Sequence, residues 1–156
     1  MKISDLLDST NVIPDLAAAS KEDAILNLAN TLSAWLDDET LAAVKKAVME
    51  RESIMSTGVG KGLAIPHGKC RKLTQTYAAF GKLQEPIEYN AIDGEPVSIL
   101  FLLVGPESQN SVHIKMLSRI SRLLNSAAFR DKLLESSDSR NIIELFQAEE
   151  EHFVRI

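Results

Sequence analysis

Val97-Ser98-Ile99-Leu100-Phe101-Leu102-Leu103-Val104 is apolar at every position except Ser98. Successive side chains of a strand point to opposite faces, so a run apolar on both faces is covered by protein on both sides. It reads as a central strand. Upstream, residues 77–83 (YAAFGKL) read as a second strand, with Asp93-Gly94 supplying a turn between the two. Downstream, apolar residues at helical spacing predict helices over 110–124, 127–135 and 138–147. Toward the N-terminus, Ser20 reads as an N-cap with Asp23 at the third helical position. Ala24, Ile25, Leu28, Leu32, Trp35 and Leu36 then recur on one face, predicting an amphipathic helix of about four turns. Asp37-Asp38 ends it and caps a second helix running to Arg51, with Leu41, Val44, Ala47 and Val48 on its inner face. Residues 3–8 predict a helical turn and residues 11–14 a brief extended piece. A helix pair, then strands, then helices predicts an α/β fold whose mixed sheet is flanked by helices on each face, not a regular βαβ alternation.

No repeat, low-complexity tract or Pro/Gly/Ser-rich linker interrupts the 156 residues, so one domain over 1–156 is expected. Five Phe, two Tyr and one Trp are few, and the core must rest on Leu, Ile, Val and Ala. The net charge of −5, with no block of like charges, argues against a nucleic-acid binder, which needs a basic stripe. The single cysteine, Cys70, leaves neither an internal disulfide nor a Cys-rich zinc site. The N-terminus carries acids where a signal peptide needs its apolar region, and no apolar run approaches the roughly 20 residues of a membrane span. A cytoplasmic protein without membrane insertion is expected.

The chemistry concentrates in residues 56–69, STGVGKGLAIPHGK. Gly58, Gly60 and Gly62 let the backbone approach a ligand and turn its N–H groups inward, predicting an anion-binding concavity. Pro66 fixes its own φ and holds Ile65 extended, so the approach to His67 is stiff, and Gly68 is expected to leave room beside the imidazole. A neutral imidazole is a good nucleophile near pH 7, and a phosphoryl adduct on it needs donors and cations around it. Nucleotide motifs fail on spacing. A Walker loop ending at Gly60-Lys61 needs Gly in place of Met55 and Ser or Thr in place of Gly62, and a dinucleotide fingerprint needs Gly in place of Leu63.

Other residues converge on this loop, each with two readings. At about 100° per residue Arg51 falls inside its helix's apolar arc; it is either a cation favoured at a helix C-terminus or a group aimed at the loop five residues on. His113 falls within the apolar arc of the helix carrying Met116, Leu117 and Ile120, as a satisfied core histidine or as a phosphate-facing one near a helix N-terminus. Ser56 and Thr57 either donate hydroxyls to a phosphoryl oxygen or serve the turn. Zinc between His67 and His113 lacks an evident third ligand. Cys70 reads as a bystander and His152, in the acidic tail, as solvated.

Residues 52–68, above all STGVGKGLAIPHG, closely resemble the active-site signature of the fructose/mannitol-type enzyme IIA domains of the bacterial phosphoenolpyruvate-dependent phosphotransferase system, which the nitrogen-regulatory IIA proteins share. Residues 86–104 look like that family's mid-domain strand pair. His113 falls where its members carry a second active-centre histidine, and Arg51 matches the arginine before the loop. The resemblance implies a three-layer α/β/α fold and a phosphocarrier that accepts a phosphoryl group on His67, at Nε2, from the carrier protein HPr or its nitrogen-branch counterpart. Arg51 and His113 would steady the group in transfer, with no cofactor and no metal. It further implies an output toward regulated target proteins, since a chain lacking IIB and IIC domains looks like the nitrogen-regulatory branch. The alternative is a sugar-specific IIA component that passes phosphate to a IIB protein for uptake.

Overall fold

The computed structural model describes residues 1–154. Both expected N-caps are formed. Ser20 Oγ accepts from Asp23 N at 3.1 Å to start α1 (Lys21–Ala29), and Asp37 Oδ1 accepts from Thr40 N at 2.7 Å to start α2 (Asp38–Ile54). Such a cap contributes about 1 kcal/mol. Helix α1 is shorter than predicted. It tightens into a 3-10 segment over Asn30–Ala34, where Asn30, Thr31 and Ser33 favour local side-chain bonds over helix interior; Thr31 Oγ1 donates to Leu28 O at 2.7 Å.

The strands are β1 (Val12–Leu16), β2 (Gly58–Gly60), β3 (Leu63–Ala64), β4 (His67–Cys70), β5 (Tyr77–Ile87) and β6 (Val97–Pro106). They run in the order β1-β5-β6-β3-β2, with β4 also paired to β6. The sheet is mixed. Strand β1 is parallel to β5, β5 antiparallel to β6, and β3 and β4 both parallel to β6. Strands β3 and β4 therefore share one edge of β6, with Leu63 opposite Ile99 and His67 opposite Leu103. The segment read from sequence as a glycine-rich loop thus contains three short strands. Strands β3 and β4 pair to the apolar central strand and β2 pairs to β3, and this tertiary pairing outweighs the poor intrinsic β-preference of the glycines.

Strand β6 is covered on both faces, as its composition demands. Leu100, Leu102 and Val104 enter one core with Ile25, Leu28, Val44 and Val48 of the N-terminal helices. Ile99, Phe101 and Leu103 enter a second core with residues of α3 (Asn110–Leu124), α4 (Ala127–Glu135) and α5 (Ser139–Val154). This is a three-layer α/β/α sandwich.

Helix α5 runs on beyond its predicted end and turns Glu150 inward. The buried carboxylate accepts from Ile3 N at 2.6 Å and Ser4 N at 2.7 Å, tying the 3-10 turn Ile3–Leu6 to the C-terminal helix. None of the helices of the described residues is long and apolar enough to cross a membrane.

Candidate functional site

Strand alternation organises the site. On β4, Gly68 and Cys70 face α2, and His67 and Lys69 face the opposite side, toward α3. A Cβ on Gly68 would stand 3.1 Å from Val48 N and 3.2 Å from Ala47 C. The glycine therefore makes room for helix α2, not for the imidazole as the sequence suggested. With β4 pressed against α2 on that side, His67 projects from the other, half-buried, where it meets His113 of α3. The two ring centroids are 5.8 Å apart.

His67 Nδ1 lies 2.8 Å from Ile65 O. A carbonyl only accepts, so Nδ1 carries the proton and the lone pair sits on Nε2. Burial, followed by the nearby Arg51 and Lys69 charges, outweighs the carbonyl bond and holds this imidazole below the ordinary histidine range. The ring is neutral at pH 7, with Nε2 free to attack an electrophile.

His113 is 4% exposed, and both its ring nitrogens are buried with no hydrogen-bond partner. Such groups are rare in folded proteins and ask for an explanation. Burial first, then the His67 and Lys69 charges, push its pKa down to about 4.

Arg51 Nη1 donates to Met55 O at 2.8 Å, tying off the end of α2. The same side chain lines a cleft of about 600 Å³ with His67, Ile65 and Leu117. Its two readings from sequence coexist. The cleft's remaining walls include Met55 and Ile92, 69% and 85% exposed.

His67 thus has His113 beside it and shares a cleft with Arg51, whereas Ser56 and Thr57 border that cleft with their hydroxyls engaged inside the protein. Ser56 Oγ donates to Tyr89 O and accepts from Gly58 N, both at 3.1 Å. Buried Thr57 donates its hydroxyl to Glu52 Oε1 and its N–H to Glu52 Oε2. Of the predicted amide concavity, the Gly58 and Lys61 N–H groups are engaged within the protein. Gly60, Lys61 and Gly62 all have positive φ and make the turn between β2 and β3. The Lys61 N–H goes to Asp93 Oδ2 at 2.9 Å and the Ile65 N–H to Thr57 O at 3.0 Å. The glycines serve the hairpin.

A family model described as "Phosphoenolpyruvate-dependent sugar phosphotransferase system, EIIA 2" matches residues 5–149. The chain belongs to this enzyme IIA family. It is 39% identical over 142 residues to a nitrogen regulatory protein of Bradyrhizobium diazoefficiens, covering 91% of this chain and 92% of that one. It is 33% identical over 145 residues to the PTS system fructose-specific EIIABC component of Bacillus subtilis, covering 93% of this chain but 23% of that longer protein. The nitrogen regulatory protein IIA-Ntr of Neisseria meningitidis superposes with a TM-score of 0.84 at 27% identity, over 92% of this chain and 98% of that one.

Two groups of this IIA chain escaped the sequence. Lys69 shares the face of His67, donates from Nζ to Asn110 Oδ1 at 2.6 Å at the start of α3, and acts on both imidazoles. Its signal was strand periodicity, which is invisible while the segment reads as a loop. Glu52 is 5% exposed and gathers Thr57, Tyr89 and Lys21. Among the described residues no group of three His, Cys, Asp or Glu is placed to hold a metal ion.

The buried His113 fixes a pH dependence of stability. The unfolded chain binds this proton near 6.5 and the folded chain only near 4. Between those values the unfolded state holds more protons, so stability declines as pH falls through the window, by up to about 3 kcal/mol in total. A His113→Gln variant should lose stability less steeply than wild type over that interval in urea titrations. Parallel profiles would show that His113 protonates freely in the fold.

Proposed function

We propose that this chain is a phosphocarrier in which His67 Nε2 accepts a phosphoryl group from the phosphohistidine of an HPr-like carrier. The P–N bond to Nε2 forms as the donor's P–N bond breaks, and the donor nitrogen keeps the electron pair. Exchange between two histidines is near balance in energy, so positioning and charge stabilisation carry the catalysis. The observation that carries the reading is the bond from His67 Nδ1 to Ile65 O, which leaves Nε2 unprotonated beside a second imidazole with two unused nitrogens. Once the group is on His67, a ring N–H of His113 donates to one of its oxygens, and Arg51 and Lys69 offset its charge. Ser56 and Thr57 act by shaping the loop. The exposed apolar rim at Met55, Val59 and Ile92 gives a carrier a dry surface to dock on.

The output is regulatory: the phosphorylation state of the domain changes its binding to target proteins. The likeness to the Bradyrhizobium nitrogen regulatory protein over nearly the whole of both chains supports this. The Bacillus fructose-specific relative favours a second reading, transfer onward to a IIB protein. Incubation with phosphoenolpyruvate, enzyme I and an HPr-like carrier should add one acid-labile phosphoryl group, mapping to the peptide that contains His67. A protein left unmodified by several carriers would refute the phosphocarrier reading. Rapid passage of the label to a fructose-class IIB protein would move the assignment to the sugar branch.

A further inference from the structure

The residue whose carbonyl sets the tautomer of His67 is itself held by a set of hydrogen bonds that leads back to α1. His67 Nδ1–H donates to Ile65 O at 2.8 Å. The N–H of Ile65 donates to Thr57 O at 3.0 Å. Thr57 N–H donates to Glu52 Oε2 at 2.7 Å, and the Thr57 hydroxyl donates to Glu52 Oε1. On its far side Glu52 Oε2 meets Lys21 Nζ at 2.8 Å, and the Tyr89 hydroxyl donates to Oε1 at 3.2 Å. Lys21 Nζ lies 4.7 Å from the centroid of the Tyr89 ring, which fixes that end as well.

Glu52 follows Arg51 on the last turn of α2, so one carboxylate anchors both the loop that carries Ile65 and the helix end that carries Arg51. Burial pushes the Glu52 carboxyl up, but the bonds from Lys21 and Thr57 outweigh burial and hold it below the usual carboxylate range. It is a fixed negative charge at neutral pH. A buried ionic group with every lone pair engaged favours one arrangement of its neighbours over others.

We infer that Glu52 is a positioning residue for phosphoryl transfer, holding Thr57 and through it Ile65 so that His67 keeps its proton on Nδ1 and presents Nε2 to the incoming phosphorus. This rests on the phosphocarrier reading. Glu52 touches neither the phosphoryl group nor the partner. Its loss should therefore lower the maximal rate and leave the carrier concentration at half-maximal rate nearly unchanged.

The test combines heteronuclear NMR of the imidazole nitrogens in the full chain with steady-state phosphorylation by an HPr-like carrier. In wild type His67 should be a single Nδ1–H tautomer. In Glu52→Gln, whose amide N–H₂ faces donors on every side, we expect a mixture of tautomers and a maximal rate about ten-fold lower, with cooperative thermal unfolding retained. Glu52→Asp keeps the charge and should restore most of the single tautomer and of the rate. Should Glu52→Gln fail to fold, Thr57→Val keeps the backbone bonds but removes the hydroxyl bond to Glu52 Oε1, one of the two that fix Thr57, and should show both defects to a smaller degree. A folded Glu52→Gln or Thr57→Val protein with the wild-type tautomer and wild-type rate overturns the proposal. A wild-type protein that accepts no phosphoryl group refutes the phosphocarrier reading instead, and the tautomer comparison still decides whether Glu52 orients His67.

Discussion

Replacing His67 by Gln gives a protein that folds as wild type does and takes up phosphoryl groups more than about 10³-fold more slowly, the scale seen when an enzyme loses its nucleophile. The glutamine amide can still donate to Ile65 O, and the half-buried side chain is not part of either apolar core. The fold has no reason to change. An amide nitrogen has its lone pair delocalised into the carbonyl, so it cannot attack phosphorus as Nε2 does. Radiolabel uptake from phosphoenolpyruvate through enzyme I and the carrier, read beside a thermal unfolding curve, checks both halves. Uptake equal to that of wild type would place the acceptor elsewhere, and His113, 5.8 Å away across the site, would be the first alternative to examine.

The largest effect on stability should come from Phe146→Ala. Phe146 is fully buried on α5, and its ring lies 5.5 Å from Phe80, 5.6 Å from Phe101 and 5.1 Å from Phe129, centroid to centroid, each time edge to face. One side chain thus ties α5 to β5, β6 and α4. Truncation removes the transfer energy of the ring and three favourable aromatic contacts, and leaves a cavity between rigid layers that cannot collapse fully. A loss of about 3–5 kcal/mol is expected, a large part of the ~5–15 kcal/mol that keeps an ordinary domain folded. Urea denaturation should show the midpoint fall with an unchanged slope. A loss below about 1 kcal/mol would mean that the cluster repacks around the gap.

Features set by neighbours in sequence were legible, and features set by distant partners were not. The two-faced apolarity of β6 announced a buried central strand, and Ser20 and Asp37 announced their helices, because a strand's periodicity and an N-cap bond involve residues a few positions apart. Arg51 and His113 were singled out by type and angular position and His67 by its loop, and the structure sets His67 beside His113 and on one cleft with Arg51. Glu52 looked like any carboxylate on an amphipathic helix until Lys21 and Tyr89 arrived from 31 and 37 residues away. Glu150 sat in an acidic run that reads as solvated, and its partners lie at the other end of the chain. The glycines around Lys61 were correctly read as sites of unusual backbone. Whether their amides face a ligand or a neighbouring strand depends on tertiary pairing, and here Asp93 and Thr57 claim the Lys61 and Ile65 amides.

The most direct test is to determine which ring atom carries phosphorus in the phosphorylated protein, by NMR of the imidazole nitrogens and of the attached phosphorus. The account predicts phosphorus on Nε2 of His67, with Nδ1 keeping its proton in the bond to Ile65 O. Phosphorus on Nδ1 of His67, or on any other residue, would contradict it.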